Sequence, residues 1–352
     1  MFGQVIREHK LLVVLTCLAG GLVICLIMAT AFGAVAISPL NIVKMSLNKM
    51  AFSHLAPTWQ TTDETILFQI RLPRVLAAAL VGAALATAGV LFQGLLRNPM
   101  ADPYIIGTSA GAAFGATLAM MLPLGVVIYG FSLVPIAAFC GALVAVLVVY
   151  NLARVGPRTP VVSMLLAGFA VSSLLAAAMT LIMTLSDRLQ LNIRQVFSFL
   201  MGGISVDNWM QIAVVAPIIL AGLVLARLFA FHLNAFALGE EGAAHLGVNV
   251  EREKLLILAL GSLLTAAAVS LSGLVGFVGL VVPHAMRLAL GPDHRLLLPA
   301  SALAGGSFLI IADLLARTLI APTELPVGTL TALIGAPFFL YLLRRTRKEY
   351  AF

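Results

Sequence analysis

The chain has 352 residues, 61% of them apolar and 10% charged, with a formal net charge of +7 and a mean hydropathy of +1.09. Soluble domains carry about 25% charged residues, so a soluble globular protein, a disordered chain and a nucleic-acid binder are all excluded, the positive charge notwithstanding. What remains is a polytopic membrane protein; at about 20 residues per span the length admits roughly ten membrane helices.

Charge-free runs locate the spans in chain order. Arg7 and Lys10 precede an apolar run that passes Cys17 and Cys25 and reaches Ile37. No small-residue cleavage site stands out in it, so it reads as a first membrane helix, about 11–33, rather than a cleaved signal. Residues 34–63 are more polar and form an external segment with an interfacial Trp59. The second span begins near Glu64 and ends before Arg97. Between Asp102 and Arg154 lie 51 uncharged residues, enough for two spans joined by a turn at Leu122-Pro123-Leu124-Gly125. The fifth span lies between Arg158 and Asp187, and a short surface helix is expected over 194–201. The sixth span covers about 209–231 and the seventh 254–271. Residues 273–287 are too short and too rich in Gly and Pro for a standard span and read as a short or broken helix. Residues 296–318 and 326–343 complete the ten, followed by a basic tail from Arg344 to Lys348. With both termini inside, 14 of the 21 Lys and Arg residues fall on the inner side, as the positive-inside rule requires.

The spans hold few ionisable groups. Asp313 stands four residues before Arg317, a spacing that suits an ion pair on one helix face, so no proton or sodium relay is evident. There is no phosphate-binding Gly-x4-Gly-Lys-Ser/Thr loop and no His-Glu-x-x-His zinc motif, and the three cysteines have no metal-ligand spacing. Gly107, Gly111 and Gly115 share one helix face, and Gly273, Gly276 and Gly279 fall three apart. Such glycines either let helices approach closely in lipid or line a pathway. The segment 232–253 is long enough for two short helices with a Gly break. Its apolar residues Phe236, Leu238, Ala244 and Leu246 leave two readings open, a plain connector or a surface that docks a cytoplasmic partner. Arg71, Arg74 and Arg317 flank span ends on the opposite side, where arginines either snorkel or pair with an acidic partner.

Several longer segments resemble one family. They are Arg71-Leu-Pro-Arg74, the run 88–103 from Ala-Gly-Val-Leu-Phe-Gln-Gly to Arg97-Asn98-Pro99-Met100-Ala101-Asp102-Pro103, and Ile106-Gly107-Thr-Ser-Ala-Gly111. Leu238-Gly-Glu-Glu-Gly-Ala-Ala-His-Leu-Gly247, Gly276-Phe-Val-Gly-Leu-Val-Val-Pro-His284 and Glu324-Leu-Pro-Val-Gly328 complete the set. From about residue 64 to 343 the chain resembles the FecCD-type (type II importer) permeases of ABC transporters that take up iron siderophores, haem and cobalamin.

The resemblance implies a single all-α transmembrane domain over 1–352, in the bacterial inner membrane with both termini cytoplasmic. It implies a homodimer around a central pathway, two ABC ATPase subunits that bind ATP and Mg, and a periplasmic substrate-binding protein; the permease itself binds no cofactor and is not an enzyme. Within 232–253, Leu238, Gly239, Glu240, Glu241, Ala244, Leu246 and Gly247 would seat on the ATPase. Arg71, Arg74 and Arg317 would meet glutamates of the binding protein; Asn98, Met100, Gly107 and Gly111 would belong to the pathway and its gate. Met100 replaces the more usual Leu. The expected cargo is an iron chelate, siderophore or haem, with cobalamin as the alternative; a secondary carrier is the reading from a different class.

Overall fold

The computed structural model describes residues 2–33, 37–49, 59–122, 126–185 and 193–345. The helices, in order, are α1 (Phe2–Ala31), α2 (Pro39–Lys49), α3 (Thr61–Leu95), α4 (Thr108–Met120), α5 (Leu133–Ala153), α6 (Val161–Thr184) and α7 (Ile193–Met201). There follow α8 (Trp209–Leu228), α9 (Ala230–Phe236), α10 (Glu240–His245), α11 (Val250–Ser272), α12 (Val278–Leu290), α13 (His294–Thr318) and α14 (Val327–Arg345). Strands β1 (Val127–Ile128) and β2 (Phe131–Ser132) form a small antiparallel hairpin.

Seven of these helices, α1, α3, α5, α6, α8, α11 and α13, are long and apolar enough to cross a bilayer. The other three expected spans are occupied by shorter helices. The run 273–287 becomes α12, 13 residues interrupted by Pro283; α14 is apolar over Val327–Tyr341; α4 is also only 13 residues. The short helix expected over 194–201 is α7. Of the turn expected at 122–125, residues 123–125 lie outside the described residues, as do parts of the 34–63 segment and of the basic tail. The hairpin just beyond that turn is not legible in the apolar pattern. Its bend is Tyr129-Gly130, both at positive φ.

The centre of the bundle is α3, packed by α13, α11, α12 and α8. Its buried face is built from small residues, among them Ala77, Ala78, Ala84, Ala86 and Ala88. Hydrophobicity does not drive helices together in lipid, so association depends on close backbone approach. Gly82 faces Gly305 of α13, and Gly89 faces Gly279 of α12; a Cβ at either α3 position would meet the opposing carbonyl oxygen. The same device joins α4 to α5, where Gly111 opposes Gly141 and Gly115 opposes Ala137. By contrast, most of the long α6 faces outward, with Val162, Leu166 and Phe169 exposed, as a lipid-facing surface requires.

Helix α3 carries a π turn over Ile66–Arg71 just before Pro73. Proline has no N–H to donate to the preceding turn, and the wider turn leaves a carbonyl free. The Phe68 carbonyl accepts instead from the Trp209 indole, at 2.9 Å, which pins the start of α8 to α3.

Candidate functional site

Chemistry-bearing side chains gather at the two ends of the bundle. At one end α8 passes directly into α9, and Gly239 (φ +92°) turns the chain into α10. The expected Gly break within 232–253 is therefore present. The apolar residues of this segment divide in two. Phe236 is buried, whereas Leu238 and Leu246 are 69% and 53% exposed; Glu241, Ala244 and Gly247 are exposed as well.

Polar links tie this unit to the membrane helices. Glu240 on α10 accepts from Lys254 Nζ at 2.8 Å, and Lys254 also contacts Glu251 at 3.2 Å. Lys254 is buried on the first turns of α11 and donates to the Thr159 carbonyl at 3.3 Å, while the Thr159 N–H donates to Glu251 at 2.9 Å. Asn234 of α9 donates to the N-cap Asp293 of α13 at 2.8 Å and accepts from the His294 N–H at 3.0 Å. Helices α9 and α10 are thus hydrogen-bonded to the first turns of both α11 and α13.

The opposite end is organised around Asp313, 1% exposed on α13. Its two oxygens lie 2.9 Å from Arg317 Nε and 2.9 Å from Arg74 Nε, so the i,i+4 pair expected from the sequence is made and a second arginine joins it. Arg74 also reaches Glu324 at 2.8 Å. Arg71 and Arg317 are 4% and 6% exposed. They donate to the last carbonyls of α1, Arg71 to Thr30 and Ala31 and Arg317 to Ala29. A helix C-terminus has unpaired carbonyls and partial negative charge, and these two guanidiniums satisfy it. Arg74 lines a cavity.

That cavity is a cleft of about 470 Å³ between α7, the ends of α11 and α3, and the 324–327 turn. Its lining is polar for a membrane protein and includes Ser198, Ser205, Asp207, Gln211, Ser270 and Glu324. One wall is the extended stretch 202–206, whose Gly203 and Ser205 N–H groups donate to the Ser272 and Leu271 carbonyls. Gly202 and Gly273 sit at positive φ where this stretch crosses the end of α11.

Between the ends lies the turn 96–107. Asn98 Oδ1 accepts from the Met100 N–H at 2.9 Å, and Met100 lines a small cavity together with Leu280, His284 and Phe338. Asp102 accepts from the Tyr104 N–H at 2.9 Å, and Tyr104 donates to the Val275 carbonyl at 3.1 Å. Burial raises the Asp102 carboxyl to about 6, and burial together with that carboxylate raises the Tyr104 phenol well above its usual range. Gly107 (φ +88°) caps α4. Gly111 is buried against Gly141 and Ala145 of α5.

The FecCD transport family model matches residues 21–345. The chain is 50% identical over 283 residues to the cobalamin import permease of Halobacterium salinarum, covering 80% of this chain and 74% of that one. It is 43% identical over 303 residues to the hemin transport permease of Yersinia pestis, covering 83% and 88%. It is 38% identical over 299 residues to the Fe(3+) dicitrate permease of Escherichia coli, covering 83% and 90%. Among solved structures, an inward-facing metal-chelate type ABC transporter superposes with a TM-score of 0.78 at 29% identity, over 95% of this chain and 99% of that one.

Proposed function

The chain belongs to the FecCD transport family and is a multi-pass permease of the ABC-importer kind, and we propose that it carries an iron chelate, siderophore or haem, driven by separate ATPase subunits. The family match over residues 21–345 carries this reading. Cobalamin is the second cargo, favoured by the 50% identity to a cobalamin permease.

In this account two copies face each other across the pathway, the cleft beside Arg74 being each copy's share of the entrance. A substrate-binding protein delivers the cargo there, meeting the end that carries Arg71, Arg74 and Arg317. Arg74 and Glu324 offer it exposed polar groups, and the two buried arginines hold that surface in shape through α1. The turn at Asn98 and Met100 forms the gate. At the far end two ABC ATPases bind ATP and Mg, seated on Leu238, Gly239, Glu240, Glu241, Ala244, Leu246 and Gly247. That end faces the cytoplasm, as do both termini, and the membrane is the inner, cytoplasmic one.

The geometry supports a mechanical route for coupling. Closure of the ATPases moves α10; the Glu240–Lys254 contact passes the motion to α11, and Asn234 passes it to α13. Both helices pack on α3, and α11 also ends at the cleft. ATP then acts by stabilising one arrangement of these helices over another. A large rigid cargo suits a pathway of small and hydroxylated residues. Asp313, buried on α13, is held between two arginines, which weighs against its use as the proton relay of a secondary carrier.

The test is uptake into proteoliposomes holding the permease with its ATPase and binding protein. Ferric siderophore, haem and cobalamin are offered separately, with and without ATP. ATP-dependent accumulation of one of them is expected. Uptake that persists without the ATPase would return the secondary carrier to first place.

A further inference from the structure

A second cavity lies on the side of the bundle, away from the cleft and the gate. It is a groove of about 530 Å³ between α1, α8 and α13, with α3 at its back. Its walls are Leu11, Leu15, Leu223, Leu298 and Leu303, and its rim carries Arg227 and Arg295. The rim lies at the α9–α10 end, since Arg227 is on the last turn of α8 and Arg295 on the first turn of α13.

Three features of this groove have no role in the bundle's own packing. First, both rim arginines are exposed, and among the described residues neither forms an ion pair within 4.0 Å. Second, Arg295 sits at a helix N-terminus, where the helix dipole disfavours a cation. An anion held between the two guanidiniums would offset that cost. Third, Thr87 on the groove wall is 2% exposed, and its hydroxyl has no hydrogen-bond partner. Thr117, Thr265 and Thr318 each donate to the carbonyl four residues back; Thr87 does not. A buried hydroxyl left unpaired is destabilising.

We propose that the groove is a binding site for one anionic phospholipid. The acyl chain lies along the leucines and the phosphate sits between Arg227 and Arg295. Basic pockets between membrane helices at the headgroup level bind anionic lipids by this combination of charge and apolar burial. A zwitterionic lipid brings its own cation to the rim and loses the charge advantage. A free phosphate has no use for the apolar walls.

The test is native mass spectrometry of the full chain in mild detergent, titrated with phosphatidylglycerol and phosphatidylcholine of matched acyl chains. The wild type is expected to hold one phosphatidylglycerol roughly tenfold more tightly than phosphatidylcholine. Arg227→Gln with Arg295→Gln should bring the two lipids to near-equal binding, and Arg154→Gln with Arg158→Gln, exposed elsewhere at span ends, should change nothing. Ala302→Trp, which fills the groove but keeps both arginines, should abolish phosphatidylglycerol binding. Millimolar inorganic phosphate should not displace the lipid. The proposal is overturned if the wild type shows no preference, if the preference survives either the rim pair or Ala302→Trp, or if phosphate alone competes.

Discussion

The ammonium of Lys254, 5% exposed on α11, lies 2.8 Å from the Glu240 carboxylate on α10. A buried cation on a membrane helix is therefore held by an acid on the short helix proposed to meet the ATPase. Lys254→Met removes the cation while keeping most of the volume. It should lower uptake about tenfold, within the range of coupling energies carried by single contacts, and leave ATP hydrolysis by the assembled complex nearly unchanged. Lys254→Arg should restore most of the uptake. Parallel loss of uptake and ATPase activity would show that the contact only holds the fold.

The same contact decides which variants probe docking cleanly. Glu240→Arg would set a second cation against buried Lys254, and any side chain at Gly239 would be strained at φ +92°. Leu238 and Leu246 have no such second role, because both are exposed.

At the other end, Asp313→Asn should be severely destabilising. It leaves Arg317 and most of Arg74 buried without their shared counter-charge, a loss of about 3–5 kcal/mol for a broken buried pair. Thermal unfolding in detergent checks this. A melting temperature within a degree or two of wild type would mean that Glu324 and the α1 carbonyls suffice.

Gly82→Ala puts a methyl against the Gly305 carbonyl at the α3–α13 crossing. The helices must separate, at a cost of about 1–3 kcal/mol. The same change at Gly203, where the space is open, should be nearly silent. Melting temperatures of the two variants give the comparison.

Asp102 gives a pH signature. Its carboxyl titrates near 6 in the folded protein against an ordinary 3.8. Between these values the folded state binds more protons than the unfolded one, so stability falls as pH rises through the window. The penalty is absent well below pH 4 and complete above about pH 6. Asp102→Asn keeps an acceptor for the Tyr104 N–H and should raise the melting temperature at pH 8, with a gain that shrinks toward pH 4. An equal gain at both values would contradict the assignment.

The sequence exposes whatever depends on local pattern. Charge-free runs mark the spans, the four-residue spacing of Asp313 and Arg317 marks their pair, and the glycines of 232–253 announce a break between two short helices, which falls at Gly239. It hides whatever depends on which helix lies opposite. Arg71 and Arg317 read as span-end arginines that snorkel or meet an acidic partner, because the α1 carbonyls that hold them are some 40 and 290 residues away. Gly82 and Gly89 lie in an alanine-rich run without distinguishing spacing, and only the facing glycines Gly305 and Gly279 reveal them as crossing points. Lys254 looks like a flanking charge at the start of a span until Glu240 and Thr159 fold over it. The π turn before Pro73 has a visible cause, but its consequence, a carbonyl for Trp209, is a tertiary contact.

The α9–α10 surface, with Leu238 and Leu246 exposed, is the proposed seat of the ATPase. The decisive measurement is co-purification of the tagged chain with the ATPase subunit of its own host, wild type beside Leu238→Asp with Leu246→Asp. The wild type should retain the ATPase one-to-one, and the double variant should lose it while keeping its melting temperature. A double variant that holds the ATPase as well as wild type, or a wild-type chain that purifies alone from cells making the ATPase, would contradict the account.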